Sequence, residues 1–396
     1  MARGTWRRVL ARLPLLLLVA ALTCGGAPPK PSPSAARDQG ADFDALAHAL
    51  DTSYPGLKSN RDWNRTRATW RARAQRAATR EDFLATLEGA LAELRDDAIV
   101  VTPHSKRSGR VVPYETDIWA RWADGAVRVE AVRISSEADS AGVRPGHIVT
   151  RVEGVPVDKA VEAYLKGGNA DALARDWALR RLLAGPRIGP QLVEVREGDV
   201  TKTIVVERGR VSPNATPPFV ARRVGDGRDI AYVRLRIGAA ESEILPALDE
   251  TLPRMADTRG MILDLRDNPR PGSGAVTSAI LSRFDPAAGG YRAPIVVLVD
   301  RWTAREGEAL AAGLQRIAHA TLIGTPTAGV AADLTEVTLP NSHVTVSIPA
   351  RRAEPLQPAI AVDMAAPSGG PGDPILYQGL KTLEALPARA GRNGPR

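Results

Sequence analysis

Four short apolar runs, "DIAYVRLR", "GMILDLRDN", "PIVVLVD" and "ATLIG", recur between residues 229 and 324, and helical segments separate them. The separators are "ESEILPALDETLPRM", "GAVTSAILSRF" and "EGEALAAGLQRI". A helix between two strands brings the chain back to the same end of the sheet, so this alternation calls for crossover β-α-β units and a mainly parallel sheet. "EVTLPNSHVTVSIP" then returns as a hairpin. Residues 222–365 therefore read as an α/β domain, and residues 366–396, rich in Ala, Pro and Gly, as a loose tail with one short helix.

Upstream the period changes. In residues 98–210, "GAVRVEAVRI" alternates as a strand does, and "SAGVRPGHIVTRVEGVPV" reads as a short helix start, a Pro-Gly turn, a strand and a Gly turn. "RDWALRRLLAGP" is a short amphipathic helix stopping at Gly185-Pro186, and "QLVEVREGDVTKTIVVER" is a hairpin turning through Gly198-Asp199. Residues 42–97 are helical: Phe83, Leu84, Leu87, Leu91 and Leu94 share helical spacing, and Thr79 with Glu81 and Asp82 marks a helix start. "RDWNRTRATWRARAQRAATR" reads as a solvated helix face; attraction to anionic lipid is the sharper alternative.

The N-terminus, residues 1–24, has a basic start, an apolar stretch from Leu13 to Leu22, and then Cys24, the only cysteine. The apolar stretch is short for a membrane span and fits an export signal. One cysteine excludes an internal disulfide. Residues 25–41 are a Pro/Ser-rich linker. Net charge is +8, but Arg3, Arg7, Arg8 and Arg12 supply four of those charges, and elsewhere the two signs are interspersed with few aromatics. No basic stripe or stacking platform points to nucleic acid. The five histidines form no metal-ligand spacing, and no phosphate-cradling glycine loop occurs, so neither a metal nor a cofactor is expected.

Three resemblances follow from these residues. "ALTCGG" resembles a bacterial lipoprotein signal, which implies lipidation at Cys24 and a protein anchored in the periplasm or at the outer membrane; cleavage nearby, giving a secreted protein, is the alternative. "SSEADSAGVRPGHIVTRVEGVPV" resembles a PDZ domain of the bacterial protease type through Ala141, Gly142, Val143, Pro145, Gly146, Ile148 and Gly154, although Glu137 and His147 depart from the usual residues. That implies binding of peptides or protein C-termini by strand addition, with the loop "WADGAVRV", and within it Gly125, Ala126, Val127 and Val129, as the expected contacts.

The third concerns "GMILDLRDNP", "VLVDRWTAREGEALAAGLQ", "ATLIGTPTAG" and "EVTLPN", which in this order resemble the C-terminal processing peptidases and their tricorn-core relatives. The resemblance covers about residues 42–365 and implies a ClpP/crotonase-like peptidase domain behind a helical segment and a PDZ-like domain. It also implies a serine at the strand-to-helix turn, where this chain has Arg305. Arginine carries donors only and stays protonated, so it is no nucleophile. Its charge is also unfavourable at a helix N-terminus by about 0.3–1 kcal/mol. The implied base is a histidine or a lysine, at positions that hold Ala98 and Val330. The Asn-Pro-Gly-Gly oxyanion loop becomes Asn268, Pro269, Arg270 and Pro271, with Gly272 and Gly274 able to re-form it further on. Glu354 occupies the position of an orienting glutamate and is the expected ion-pair partner of Arg305. Thr303 and Glu306 have the spacing of a capping box. These positions imply a catalytically degenerate, peptide-binding homologue. The alternatives are an active serine peptidase with a relocated nucleophile, for which Ser273, Ser278, Ser342 and Thr303 are candidates, and a structural lipoprotein without a peptide groove.

Overall fold

A computed structural model describes residues 33–386, apart from 55–56, 58–59, 167–169, 210–216, 240, 331–333, 350–359 and 367–371. Cys24 and Glu354 lie outside the described residues.

The chain begins with three helices, α1 (Pro33–Ser53), α2 (Arg61–Gln75) and α3 (Arg80–Leu91). Thr79 starts α3 as its spacing indicated, its hydroxyl accepting the Asp82 amide at 3.1 Å. Phe43 stacks on Trp63, ring centroids 6.2 Å apart, in a core completed by Leu46, Leu50 and Leu87. On the outer face Arg67 and Arg71 of α2 pair with Asp51 and Asp44 of α1, so the Arg-rich stretch is a solvated face that also ties two helices.

Two boundaries differ from the sequence reading. Helix α1 starts at Pro33, inside the expected linker, with proline at a position that needs no amide donor. Its Asp42 carboxylate, fully buried, accepts the amides of Asn341 (2.8 Å) and Ser342 (2.7 Å) from the far end of the chain, a contact no local composition reveals. The strand β1 (Val100–Thr102) likewise leaves its neighbours in sequence.

The middle unit holds β2 (Ile118–Ala123), β3 (Ala126–Val132), α4 (Glu137–Ser140), β4 (Ile148–Val152), β5 (Val155–Pro156), α5 (Val157–Tyr164), α6 (Ala172–Ala184), β6 (Gly189–Glu197) and β7 (Val200–Arg208). Its strands follow the order β2-β3-β4-β6-β7, with β5 added to β4. Alternate residues Val127, Val129, Val193 and Val195 point inward onto Trp177 and Leu179 of α6. A buried ion network, Arg110 and Arg208 with Asp117 and Glu137, fixes β7 against the start of β2.

The third unit contains β8 (Phe219–Val224), β9 (Ile230–Leu235), α7 (Glu241–Arg254), β10 (Gly260–Asp264), α8 (Gly274–Arg283), β11 (Ile295–Val299), α9 (Glu306–Ala318), β12 (Thr321–Gly324), the hairpin β13 (Leu334–Thr338) and β14 (Thr345–Pro349), β15 (Met364–Ala365) and α10 (Pro374–Glu384). The main sheet runs β15-β12-β11-β10-β9-β8 and is parallel except for the edge strand β8. Leu263 sits in register between Val233 and Val297, so the central strands are apolar on both faces, as buried parallel strands are. Residues of α7, α8 and α9 cover one face. Ile375 and Leu383 of α10 cover the other, so the segment expected as a loose tail is part of the core.

The hairpin β13–β14 leaves the main sheet. It pairs with β1, and Leu339, Val344, Val346 and Ile348 pack into the helical core. Residues 222–365 are therefore not one contiguous layer, and β1, inside the segment 98–210, belongs with the helical unit rather than with the middle one. The apolar stripe of the helices needs a cover, and the hairpin provides it. Middle and third units are joined by Trp302, whose indole N–H donates to the Thr116 carbonyl (2.6 Å), and by Arg133, whose Nε donates to Asp267 Oδ1 (2.8 Å).

Candidate functional site

β11 ends at Val299, and the chain turns through Asp300 to Arg305 before entering α9. The turn is held from within. The Asp300 carboxylate accepts the amides of Asp267 (3.1 Å) and Trp302 (3.0 Å). The Thr303 hydroxyl accepts the Asp300 amide and donates to the Leu265 carbonyl, both at 3.0 Å. Burial, and then the charge of Asp267, push the Asp300 carboxyl up to about 6.

The expected capping box between Thr303 and Glu306 does not form, because Thr303 faces the sheet and its hydroxyl is spent there. The N-cap is Arg305, and the carboxylate three residues on is Glu308, which accepts the Arg305 amide at 3.2 Å. Only this half of a capping box exists, since a guanidinium has no acceptor to offer the helix. Arg305 has φ 54° and ψ −122°. A non-glycine residue at such φ costs of order 1–3 kcal/mol and persists where its surroundings over-determine it. This sharp strand-to-helix turn is the backbone form that presents a nucleophile in some hydrolases. Here it presents a guanidinium.

The Arg305 side chain is buried, at 3% exposure. One Nη donates to the Ala98 carbonyl (3.2 Å), and the Arg305 backbone amide also donates to the Val330 carbonyl (3.3 Å). Ala98, Ala304 and Val330 form one small apolar cluster, with Ala328 and Leu334 against it. The fold thus brings together three positions that are distant in sequence, Ala98, Arg305 and Val330, and leaves no proton acceptor among their side chains. Burial lowers the Arg305 pKa, while the carboxylates of Glu306, Asp96, Glu308 and Asp97 oppose that.

Two carboxylates at the helix mouth take up backbone amides around the turn, including one in the loop expected to serve an oxyanion. Glu306 Oε2 accepts the Gly272 amide at 2.8 Å. Glu308 accepts the amides of Gly329 (2.7 Å) and Val330 (2.9 Å) and the Thr327 hydroxyl. Burial raises the pKa of both. The re-formed glycine loop is also engaged, since Glu241 accepts the Ser273 amide at 2.8 Å. Asn268 is structural: its side chain accepts the Ile237 amide (2.7 Å) and donates to the carbonyls of Leu235 and Leu265. Acids occupying these donors would repel a developing negative charge rather than stabilise it. The carboxylates' roles were not read from the sequence; the signal was "EGE" directly after Arg305, two acids in a first helical turn.

Among the described residues, no histidine or lysine is hydrogen-bonded to the hydroxyl of Ser273, Ser278 or Ser342. Ser273 caps α8, its hydroxyl accepting the Val276 amide, and Ser278 is exposed on that helix. The backbone of Ser342 is held by Asp42. His147 is buried in the middle unit, where its Nδ1 accepts the Arg144 amide and burial lowers its pKa. His104 lies 3.6 Å from Glu88 in the helical unit. Among the described residues, no group of three or more His, Cys, Asp or Glu side chains could hold a metal ion.

The expected peptide contacts at Gly125, Ala126, Val127 and Val129 are placed elsewhere. Asp124 and Gly125, at φ 51° and 76°, make the two-residue turn between β2 and β3. Val127 and Val129 are buried, and β3 is paired on both sides, so no strand can add there. A peptide can add only at an edge. The strands at the ends of this sheet are β2, which packs against α6, and β7.

Residues 272–354 match the model of peptidase family S41. No curated protein matches the chain. Among solved structures it is similar to mature CPAF complexed with lactacystin, at 13% identity and a TM-score of 0.50 over 89% of this chain and 97% of that one. It is also similar to a photosystem II D1 C-terminal processing protease, at 17% identity and a TM-score of 0.49 over 89% and 98%. The tricorn protease aligns at 15% identity and a TM-score of 0.49 over 88% of this chain and 36% of that one.

Proposed function

We propose that this relative of peptidase family S41 binds peptides in the cell envelope without hydrolysing them. The observation that carries the reading is Arg305, a protonated group in the strained turn, enclosed by Ala98 and Val330 where a proton acceptor would have to stand. Acyl transfer needs a nucleophile, a base beside it and free donors for the oxyanion. Each of the three is replaced by something of the wrong chemistry.

Peptide binding is supported by the middle unit, a PDZ-like sheet with β2 and β7 as its end strands, the positions at which a strand can add. Export and lipid attachment through Cys24 complete the reading. No helix of the described residues is long and apolar enough to cross a membrane.

The test combines calorimetric titration of the protein with six-residue peptides, matched to the length of β2, and mass spectrometry of the peptides afterwards. Saturable binding with every peptide intact is the expected result. Cleaved peptide would overturn the non-hydrolytic part, and absence of binding would overturn the peptide-binding part.

A further inference from the structure

Four arginines gather around one carboxylate where the middle and third units meet. Alternation along β9 puts Arg234 and Arg236 on one side of the strand's end, and both turn to Asp267, at 3.9 Å and 3.0 Å. Arg133, just past β3, reaches the other Asp267 oxygen through its Nε at 2.8 Å and donates from an Nη to the Tyr114 carbonyl at 2.9 Å. The Arg270 guanidinium stands over the Tyr114 ring, 4.8 Å from its centroid. The loop that carries Arg270 is held against the end of β9. Asn268 accepts the Ile237 amide, and a Cβ at Gly238 would lie 2.9 Å from the Arg270 Cβ.

The charges in this cluster do not balance. Arg133 and Arg236 are buried and directed at Asp267. Arg234 is paired with it only loosely and is 22% exposed. Arg270 is half-buried, and among the described residues no carboxylate lies within ion-pair distance of it. The other acids at this end of the sheet are engaged elsewhere, Asp264 and Asp373 with Arg266, and Glu241 with the amides of Gly238 and Ser273. Burial lowers the Arg236 pKa; Asp267 opposes that, and the charges of Arg234, Arg133 and Arg270 add to it. An anion that reaches the exposed side of the cluster, at Arg234, Arg270 and Asp267, would relieve this repulsion without any part of the fold having to open.

We propose that this cluster binds a phosphate group, with Arg234 and Arg270 as its direct contacts and Asp267 as the brace that holds the arginines together. The site goes beyond peptide binding and does not depend on it. A phosphate monoester carries about −1.5 to −2 charges at pH 7 and three strong acceptor oxygens, enough for two guanidinium forks. A carboxylate carries one charge and matches one fork. Two under-used guanidiniums beside a single acid therefore favour the phosphate. Inorganic phosphate, a soluble phosphate monoester and a lipid headgroup ending in a phosphate monoester share this chemistry.

The test is calorimetric titration of the full chain, at matched low ionic strength, with inorganic phosphate, glycerol phosphate and acetate. Sedimentation with phosphatidylcholine vesicles, with and without phosphatidic acid, runs beside it. Phosphate is expected to saturate one site with a dissociation constant of about 1 mM or below. Acetate should bind at least about tenfold more weakly, and about 0.5 M salt should weaken the phosphate complex. Arg234→Gln and Arg270→Gln should each weaken phosphate at least about fivefold, and Arg270→Lys should keep part of the affinity, because lysine keeps the charge without the fork. Urea midpoints establish that the variants fold; if Arg234→Gln does not, Arg270→Gln decides alone. Binding of the soluble probes assigns a dissolved ligand. Recruitment by phosphatidic acid vesicles alone, lost in Arg270→Gln, assigns a lipid headgroup. No binding of phosphate in any form, acetate as tight as phosphate, or unchanged affinity in the folded variants would overturn the site and leave peptide binding untouched.

Discussion

The Arg305 guanidinium donates a hydrogen bond to the carbonyl of Ala98, 3.2 Å away and 207 positions earlier in the chain. The helix-mouth residue and the end of the helical unit therefore meet, as catalytic partners would, but what they exchange is a structural hydrogen bond.

Arg305→Ser should give no peptidase activity, because Ala98 and Val330 still supply no base. It should also destabilise the fold by about 2–4 kcal/mol, since Glu306 and Glu308 lose a buried cation. Urea denaturation and a protein-cleavage assay on the same sample read both effects. Turnover by this single variant would show a base that the site as described does not contain.

Glu308→Ala should destabilise further than Arg305→Ser. It leaves the amides of Arg305, Gly329 and Val330 and the Thr327 hydroxyl without their shared acceptor, at about 1 kcal/mol or more for each buried donor left unmet. Equal midpoints for the two variants in denaturant would contradict the role given to Glu308.

Asp300 ties stability to pH. Its folded pKa, about 6, stands above the ordinary value of 3.8. Its contribution therefore favours folding below about pH 4 and is lost as pH rises through about 6. Asp300→Asn keeps a side-chain acceptor and removes the titration. The stability of the native chain minus that of this variant should fall by about 1–3 kcal/mol between pH 4 and 7. A difference that stays flat, or rises, would show that Asp300 titrates normally.

Cys24→Ala should move the protein from the membrane to the soluble fraction of lysed cells, since a free chain without acyl groups has no anchor. Unchanged membrane association would remove the lipid attachment.

Much of the fold was legible because its causes are local. The apolar runs around Val233, Leu263 and Val297 are long enough and plain enough to mark a parallel sheet, and Thr79 announces α3 through one hydrogen bond. What the sequence hid is non-local. The hairpin β13–β14 joins β1 over the helices because their apolar stripe needs covering. Asp42 and Ser342 meet across 300 positions of sequence. At the site, positions 98, 305 and 330 were legible from motif order, and the fold gathers them. The N-cap was misread because Thr303 has two possible uses, helix cap or sheet anchor, and only the packed turn decides between them. The resemblance that points to Gly125, Ala126, Val127 and Val129 carries no information on which strands end the sheet; that depends on the pairing of β3 with both β2 and β4.

The most direct test of the central claim is labelling of the unmodified protein with a serine-reactive fluorophosphonate, followed by intact-mass measurement, alongside incubation with an unfolded model protein. The account predicts no mass shift and no cleavage. Stoichiometric labelling of one serine, accompanied by cleavage that is lost when that serine is mutated, would contradict it.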